Sequence, residues 1–95
     1  GTAAVAKLVD VDRYLGEIDL IARRGQVLAV VEVKARPTLE QAAAAISPRQ
    51  QARLARAAAL WLARHPRWHS LSLRFDAMLV VPGAWPHHIE DAWRP

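Results

Sequence analysis

The sequence predicts an α/β fold, and two strand patterns followed by a long helix pattern carry that prediction. Residues 17–23 and 26–35 are rich in β-branched side chains, as strands are. A helix pattern extends from Pro48 to about His65, and residues 70–81 then alternate like a third strand. Two strands, helical segments and a further strand are the order expected when helices pack on a sheet.

Length and composition predict one small domain. The chain has 95 residues, and folding at this size buries roughly 60–65% of the surface of the unfolded chain. The absence of cysteine excludes a disulfide framework and a thiolate metal site. The longest apolar run, residues 57–63, is too short to span a bilayer, and no secretory signal pattern opens the chain. We therefore expect a single cytoplasmic domain over residues 1–95.

The charge balance favours a polyanionic partner without requiring one. Thirteen Lys and Arg against nine Asp and Glu give a net charge of +4 and a pI near 10.7, which suits nucleic-acid binding. Eleven of these basic residues are Arg, and a GC-rich genome produces the same bias. Nucleic acid, with DNA first, is the partner that we expect.

The strands can be placed from the N-terminus onward. Residues 3–8 suggest one or two helical turns, and residues 9–12 alternate like a strand. Arg24 and Gly25 then predict a tight hairpin turn between the two clearest strands. With that two-residue turn Asp19 lies opposite Val30, whereas a four-residue loop places Asp19 opposite Glu32. An edge strand and a last helical turn over residues 90–93 are expected to close the chain.

Capping patterns mark two helix starts. Thr38 begins a short helix predicted over residues 39–46, and Ser47 with Pro48 and Gln50 begins the long one. Apolar residues share one side of the long helix. Four arginines occupy the opposite side: Arg49, Arg53, Arg56 and Arg64. This arginine stripe could track phosphates, although a solvated helix face is the more frequent explanation.

One face of the predicted hairpin carries the chemistry. Four charged side chains share it: Glu17, Asp19, Glu32 and Lys34. Apolar Ile21, Leu28 and Val30 lie on the same face, which indicates partial shielding from water. Carboxylates in that setting repel each other and lose hydration unless a cation is present. Oxygen ligands favour Mg²⁺ or Mn²⁺, and a nearby lysine can steady an attacking water.

The opposite face of the hairpin is wholly apolar, and we expect it to pack on a core. It consists of Ile18, Leu20, Ala22, Val27, Ala29, Val31, Val33 and Ala35. The simplest alternative to a metal site on the charged face is a half-solvated hairpin with a Glu–Lys pair.

Six blocks of sequence resemble the YraN-like predicted endonucleases, bacterial members of the PD-(D/E)XK restriction-endonuclease-like superfamily. The first two are GEIDLIARRG at residues 16–25 and VEVKAR at residues 31–36. Further blocks follow in the family's order at residues 46–51, 60–65, 74–76 and 89–93. The long first block together with the later ones makes the resemblance specific.

This resemblance implies a restriction-endonuclease-like α/β fold, a mixed β-sheet flanked by helices. It implies that Asp19 and Glu32 hold Mg²⁺ or Mn²⁺, with the backbone carbonyl of Val33 as a third ligand. Lys34 would be the catalytic lysine. The reaction implied is hydrolysis of a phosphodiester bond in nucleic acid.

The chain departs from the family pattern near its start. The helix and strand before Gly16 are abbreviated, and the helix that usually supplies an acid to the site is represented only by its beginning. Either residues are missing between Leu8 and Gly16, or the site has one carboxylate fewer. A lysine common in the family near the start of the long helix is Gln50 here.

These departures keep two alternative functions open. The first is a non-catalytic nucleic-acid-binding module that keeps the nuclease fold with an incomplete metal site and uses the arginine stripe. The second is a structural or partner-binding protein with no nucleic-acid role.

Other polar and aromatic residues have ordinary explanations. Asp76 shares a strand face with Arg74 and is predicted to form an ion pair with it. His87 and His88 would diverge in an extended segment, and His65 suits a core or capping role. Three tryptophans could stack on nucleobases if they are exposed: Trp68, Trp85 and Trp93.

Overall fold

Over the residues that the structure describes, the fold is a mixed five-stranded sheet with two α-helices. This computed structural model describes residues 7–10, as backbone, and residues 18–95. The strands follow one another across the sheet in chain order: β1 (Lys7–Asp10), β2 (Leu20–Arg24), β3 (Val27–Ala35), β4 (Ser72–Val80) and β5 (His87–Trp93). Neighbouring strands are antiparallel except β3 and β4, which are parallel. The expected α/β class is confirmed.

The connection between the parallel strands contains both helices. After β3 come α1 (Leu39–Ala44) and α2 (Pro48–Ala63), and a short 3₁₀ helix (Pro66–Trp68) leads into β4. A parallel pair requires a long connection, because the chain must return to the end of the sheet where the first strand began. Within the described residues, no helix is both long enough and apolar enough to cross a membrane.

Both predicted helix starts are confirmed by their caps. The amide of Gln41 donates to the hydroxyl oxygen of Thr38, and the amide of Gln50 donates to that of Ser47, each across 3.2 Å. These bonds satisfy amides that have no partner within the first turn of a helix. The helix α1 ends two residues earlier than predicted, at Ala44.

The hairpin between β2 and β3 turns one residue later than predicted, at Gly25 and Gln26. Arg24 remains in the ladder, paired with Val27. Gly25 has φ +59°, a backbone conformation that glycine adopts without steric cost. Further along the ladder Leu20 lies opposite Val31, which is the register that brings Asp19 beside Glu32.

The N-terminal predictions can be checked only in part. Lys7 and Leu8 belong to β1, so the helical turn predicted over residues 3–8 is wrong at these two positions. The strand predicted over residues 9–12 is confirmed at Val9 and Asp10. Residues 3–6, 11 and 12 lie outside the described residues, as does Glu17.

The main core lies between α2 and the sheet face that also carries the charged residues. The sheet contributes Ile21, Leu28, Val30 and Phe75, and the helix contributes Leu54, Ala57, Ala58 and Trp61. Each of these side chains is at most 3% exposed. The prediction that the opposite face packs on the core is therefore wrong for most of its residues.

On that opposite face, only Ile18, Ala29 and Val31 are buried. Leu20, Ala22 and Val27 are half-buried, whereas Val33 and Ala35 are exposed. The physical reason is that α2 covers the face whose apolar residues, Ile21, Leu28 and Val30, match its own apolar side.

The last helical turn predicted over residues 90–93 is also wrong, because β5 continues to Trp93. Its pairing with β4 is irregular between Phe75 and Ala77, where Asp91 has φ +52°. The amide of Asp91 donates to Oδ1 of the buried Asp76 across 3.0 Å. A side chain of β4 thus satisfies a backbone group that would otherwise pair in the ladder.

Candidate functional site

The candidate site begins at the open end of the β2–β3 hairpin. Asp19 immediately precedes β2, and its Oδ2 accepts a hydrogen bond from the amide of Val33 across 3.0 Å. This bond continues the link between the two strands beyond their last backbone pair. It fixes the Asp19 carboxylate against the strand that carries Glu32 and Lys34.

Glu32 lies in the middle of the site and is 2% exposed. Its Oε1 has two donors, Nζ of Lys34 at 3.2 Å and Nε2 of Gln50 at 3.3 Å. Its Oε2 is also buried and has no hydrogen-bond partner among the residues that the structure describes. Within the described residues, one oxygen of this buried carboxylate thus has two donors and the other has none.

The electrostatics follow from this burial. Loss of hydration raises the pKa of Glu32, and the negative charge of Asp19 raises it further. The Lys34 ammonium opposes both effects without cancelling them, so the pKa of Glu32 stays above its ordinary value of 4.5. A divalent cation between the two carboxylates would offset the negative charge of Asp19, which is the second cause of the raised Glu32 pKa.

Three of the four described residues that form this cluster were predicted from the sequence. The structure brings together Asp19, Glu32 and Lys34 as expected, and it adds Gln50 from the first turn of α2. The sequence singles out Gln50 as part of the helix cap that begins at Ser47 and as a departure from the family pattern. The apolar side of α2 matches the apolar residues on the sheet face that also carries the charged cluster. This match is the signal that could have placed Gln50, because packing α2 on that face brings its N-terminus to β3.

The donor set suits a hard divalent ion but is small. Among the described residues it would consist of the two carboxylates of Asp19 and Glu32, with the backbone carbonyl of Val33 beside them. Within the part of the chain that the structure describes, no group of three or more His, Cys, Asp or Glu side chains could hold a metal ion. The buried Oε2 of Glu32 is the observation that fits a cation.

The arginine stripe lies on the solvent side of α2, as its spacing predicts, and all four side chains are exposed. Arg49 is adjacent to Gln50, and Arg53 lies one helical turn further on. Arg64 is 15 residues from Arg49, which corresponds to about 22 Å along a helix. Only the first half of the stripe is therefore near the Asp19–Glu32 cluster.

The ordinary explanations for other polar residues are confirmed. Arg74 donates two hydrogen bonds of 2.8 Å to Asp76, and Nε2 of His88 lies 2.9 Å from the same carboxylate. His87 pairs with Leu79 and His88 with Met78, so the two histidines face opposite sides of the sheet. His65 stacks on Trp61 and lies 2.6 Å from its carbonyl oxygen, as a capping residue does.

The three tryptophans proposed for stacking differ in exposure. Trp68 and Trp93 are half-buried and pack against the main core. The guanidinium groups of Arg23 and Arg67 also lie over the Trp68 ring, 5.4 Å and 4.6 Å from its centroid. Trp85, in the loop between β4 and β5, is 92% exposed.

Comparison with known proteins places the chain in a family. The model of the uncharacterised protein family UPF0102 matches residues 2–80. A UPF0102 protein of Parvibaculum lavamentivorans is 61% identical over 80 residues, which cover 84% of this chain and 60% of the relative. The UPF0102 protein of Maricaulis maris is 54% identical over 80 residues, covering 84% of this chain and 63% of the relative.

A third relative supports the same assignment. The UPF0102 protein of Methylocella silvestris is 53% identical over 77 residues, which cover 81% of this chain and 62% of the relative. The chain therefore spans about three fifths of the length of these curated relatives. On a family match over most of the sequence and identities above one half, the chain belongs to the uncharacterised protein family UPF0102.

Proposed function

We propose that this chain carries a metal-dependent nuclease site, in a restriction-endonuclease-like fold, which hydrolyses phosphodiester bonds in nucleic acid. The observation that carries the proposal is the state of Glu32. Its carboxylate is buried, yet no residue that the structure describes forms a hydrogen bond with Oε2. An unsatisfied buried carboxylate oxygen costs free energy unless a cation meets it. Selection for stability alone would not favour this arrangement.

Asp19 and Glu32 would hold Mg²⁺ or Mn²⁺, because both offer the oxygen ligands that these ions prefer. Val33 would add its backbone carbonyl. The amide of Val33 faces Asp19, and the amide and carbonyl of one residue in an extended strand point to the same side. A metal bound there would stabilise negative charge on the phosphate.

Lys34 would act on the attacking water and the phosphate. In hydrolysis the water oxygen bonds to phosphorus, the bond to the leaving ester oxygen breaks, and that oxygen takes up a proton. The Lys34 ammonium can stabilise the charge that develops on these oxygens. Its side chain is only 17% exposed and pairs with Glu32, so it is held in place before substrate arrives.

Substrate binding would use the positive charge beside the cluster. Arg49 and Arg53 lie on the exposed side of α2 next to Gln50, where they can contact phosphates that flank the scissile bond. The N-terminus of α2 adds a partial positive charge in the same region. The basic composition favours a nucleic acid without distinguishing DNA from RNA, so both are substrates to test.

One observation favours the second candidate, a non-catalytic nucleic-acid-binding module. Two carboxylates, Asp19 and Glu32, make up the described acids of the cluster, and one oxygen of Glu32 already has two donors. Such a site would bind metal weakly. Binding would then depend on the arginine stripe rather than on Lys34.

A cleavage assay distinguishes the two candidates. The chain is incubated with branched, single-stranded and duplex DNA and RNA in Mg²⁺, Mn²⁺ or EDTA. We expect metal-dependent cleavage that falls by about 100-fold or more in Glu32→Gln and Lys34→Met. Glu40→Gln, which removes one exposed negative charge from α1, is the matched control and should retain activity. Binding without cleavage by the wild type in every metal would support the non-catalytic module.

A further inference from the structure

The loop between β4 and β5 presents an aromatic ring to solvent. Trp85 is 92% exposed, whereas Trp61 is buried and the other two tryptophans pack against the core. Tryptophan is on average one of the more buried residue types, so a ring with almost no packing is an informative exception. The loop also lies beyond residues 2–80, which the family model matches.

The loop is short and its backbone is restricted. Six residues join Val80 to His87, and Pro82 and Pro86 fix two of their φ angles. Gly83 turns the chain with φ +74°. The residue before a proline is held in extended conformations, which applies to Trp85. The ring is therefore displayed on a constrained loop, which lowers the entropy lost when it binds a partner.

The sheet register places this loop near the Asp19–Glu32 cluster. Leu79 pairs with Lys34 on one side and with His87 on the other. Strands lie about 4.8 Å apart, so the Cα atoms of Lys34 and His87 are separated by about 10 Å. Trp85 precedes His87 by two residues, which adds at most about 7 Å along the chain.

The charges around the loop suit a polyanion. Arg36 leaves β3 at the same end of the sheet, where its amide donates to the carbonyl of Val80 across 3.0 Å. Its exposed guanidinium donates to the carbonyl of Ala35 and keeps further N–H groups for other acceptors. Residues 81–88 contain no Asp or Glu. A phosphate chain that crosses Lys34 would therefore meet no acidic side chain of this loop.

We propose that Trp85 stacks on an unpaired nucleobase of a strand whose phosphate lies at Lys34, so that the substrate has a single-stranded segment beside the scissile bond. The ring needs a free base face, and in a paired duplex those faces are covered by neighbouring bases. Unpaired bases, in contrast, stack readily on aromatic side chains. The Cα atoms of Lys34 and Trp85 are thus at most about 17 Å apart, which corresponds to up to about five nucleotides at about 3.4 Å per stacked nucleotide.

This inference deepens the proposed function and rests on it for the position of the phosphate, yet its test needs no cleavage. Equilibrium binding is measured in EDTA by fluorescence anisotropy. The probes are a blunt 20-base-pair duplex, the same duplex with a ten-nucleotide unpaired arm, and the arm alone, each as DNA and as RNA. The proteins are the wild type, Trp85→Ala, Trp85→Phe and Leu60→Ala, the last removing an exposed apolar side chain from α2.

We expect Trp85→Ala to weaken binding of the armed duplex and of the arm by about 5- to 150-fold, as loss of one stacked base does. Trp85→Phe should stay within about threefold of the wild type, because it keeps a ring. The blunt duplex and the Leu60→Ala control should change less than twofold. Comparison of the DNA and RNA probes shows which nucleic acid the ring accepts.

Three results would overturn the proposal. The first is equal affinity of wild type and Trp85→Ala for the armed duplex, which would leave the ring for a protein partner. The second is an equal loss on the blunt duplex, and the third is no binding of any probe by the wild type. Arm-specific loss in Trp85→Ala without cleavage by the wild type in Mg²⁺ or Mn²⁺ would instead contradict the nuclease and retain the stacking role.

Discussion

The side-chain amide of Gln50 donates a hydrogen bond to Oε1 of Glu32 across 3.3 Å and thereby joins the first turn of α2 to the middle of β3. Lys34 forms an ion pair with the same oxygen. Both contacts lie on the sheet face that α2 covers, so helix and strand together orient the carboxylate. Its second oxygen, Oε2, is buried and has no hydrogen-bond partner among the described residues.

The pH dependence of stability should report the buried Glu32. Burial, and next the charge of Asp19, raise its pKa above 4.5. In EDTA the free energy of unfolding should therefore fall as pH rises from 4.5 through the raised pKa and become level above it, because the folded state binds the proton more tightly. Urea unfolding between pH 4 and 8 measures this slope.

Two variants make the Glu32 measurement specific. Glu32→Gln should flatten the slope in this pH range, since glutamine does not titrate. Glu40→Gln, an exposed acid on α1, should leave it unchanged. A wild-type slope identical to that of Glu32→Gln would contradict the assigned environment of Glu32.

Asp76 should also affect the pH dependence of stability, at lower pH and with a sign opposite to that of Glu32. Burial alone would raise its pKa, but hydrogen bonds from Arg74, the Asp91 amide and His88 outweigh burial and hold the pKa below the ordinary 3.8. Its stabilising contribution is thus fully present above pH 3.8 and is lost as pH falls through the lowered pKa. Asp76→Ala should cost about 1–3 kcal/mol at pH 7, because it removes a fully buried acceptor and leaves the half-buried Arg74 guanidinium without its carboxylate partner.

Arg94→Ala is the matched comparison for Asp76. It breaks an exposed ion pair with Asp91, 2.7 Å long, and should leave the free energy of unfolding nearly unchanged. Urea unfolding at pH 3 and pH 7 gives both values. Equal costs for the two variants at pH 7 would show that the Asp76 contacts do not hold β4 and β5 together.

The salt dependence of nucleic-acid binding should separate the two halves of the arginine stripe. Arg49 and Arg53 lie near the cluster, so replacing both by alanine should flatten the plot of log affinity against log salt by about two units on duplex DNA. Arg64→Ala should change the slope little, since it lies about 22 Å away from Arg49 along α2. An unchanged slope in the double variant would assign the whole stripe to solvent.

Local patterns predicted the elements that depend on local chemistry. The caps at Thr38 and Ser47 and the helix that follows each were predictable because those contacts span three residues. The pairing of β2 with β3 remained ambiguous between two registers, because it depends on whether the turn uses Arg24 or Gln26. Only the assembled ladder, with Leu20 opposite Val31, selects the register that brings Asp19 to Glu32.

Features that depend on long-range contacts were not predictable in this way. The sequence alone does not say which face of the hairpin α2 covers, and the prediction that the wholly apolar face packs on the core was wrong. Likewise, residues 90–93 were assigned a helical turn because their link to the distant Asp76 leaves no local signal. Gln50 was not predicted to belong to the cluster for the same reason, since its contact with Glu32 spans 18 residues.

Thermal unfolding with and without Mn²⁺ or Mg²⁺ tests whether Asp19 and Glu32 form a metal site. A cation that binds only the folded chain stabilises it by about 2.7 kcal/mol at a hundredfold excess over its dissociation constant. The wild type should therefore melt at a higher temperature with metal. Asp19→Asn keeps an acceptor for the Val33 amide and removes one charge beside Glu32.

We expect Asp19→Asn to melt at a higher temperature than the wild type in EDTA, because the repulsion between the two carboxylates is removed. The same variant should lose the response to metal, whereas Glu40→Gln should keep it. The contradicting result is a wild type that does not respond to Mn²⁺ or Mg²⁺, together with an Asp19→Asn variant that is no more stable than the wild type in EDTA.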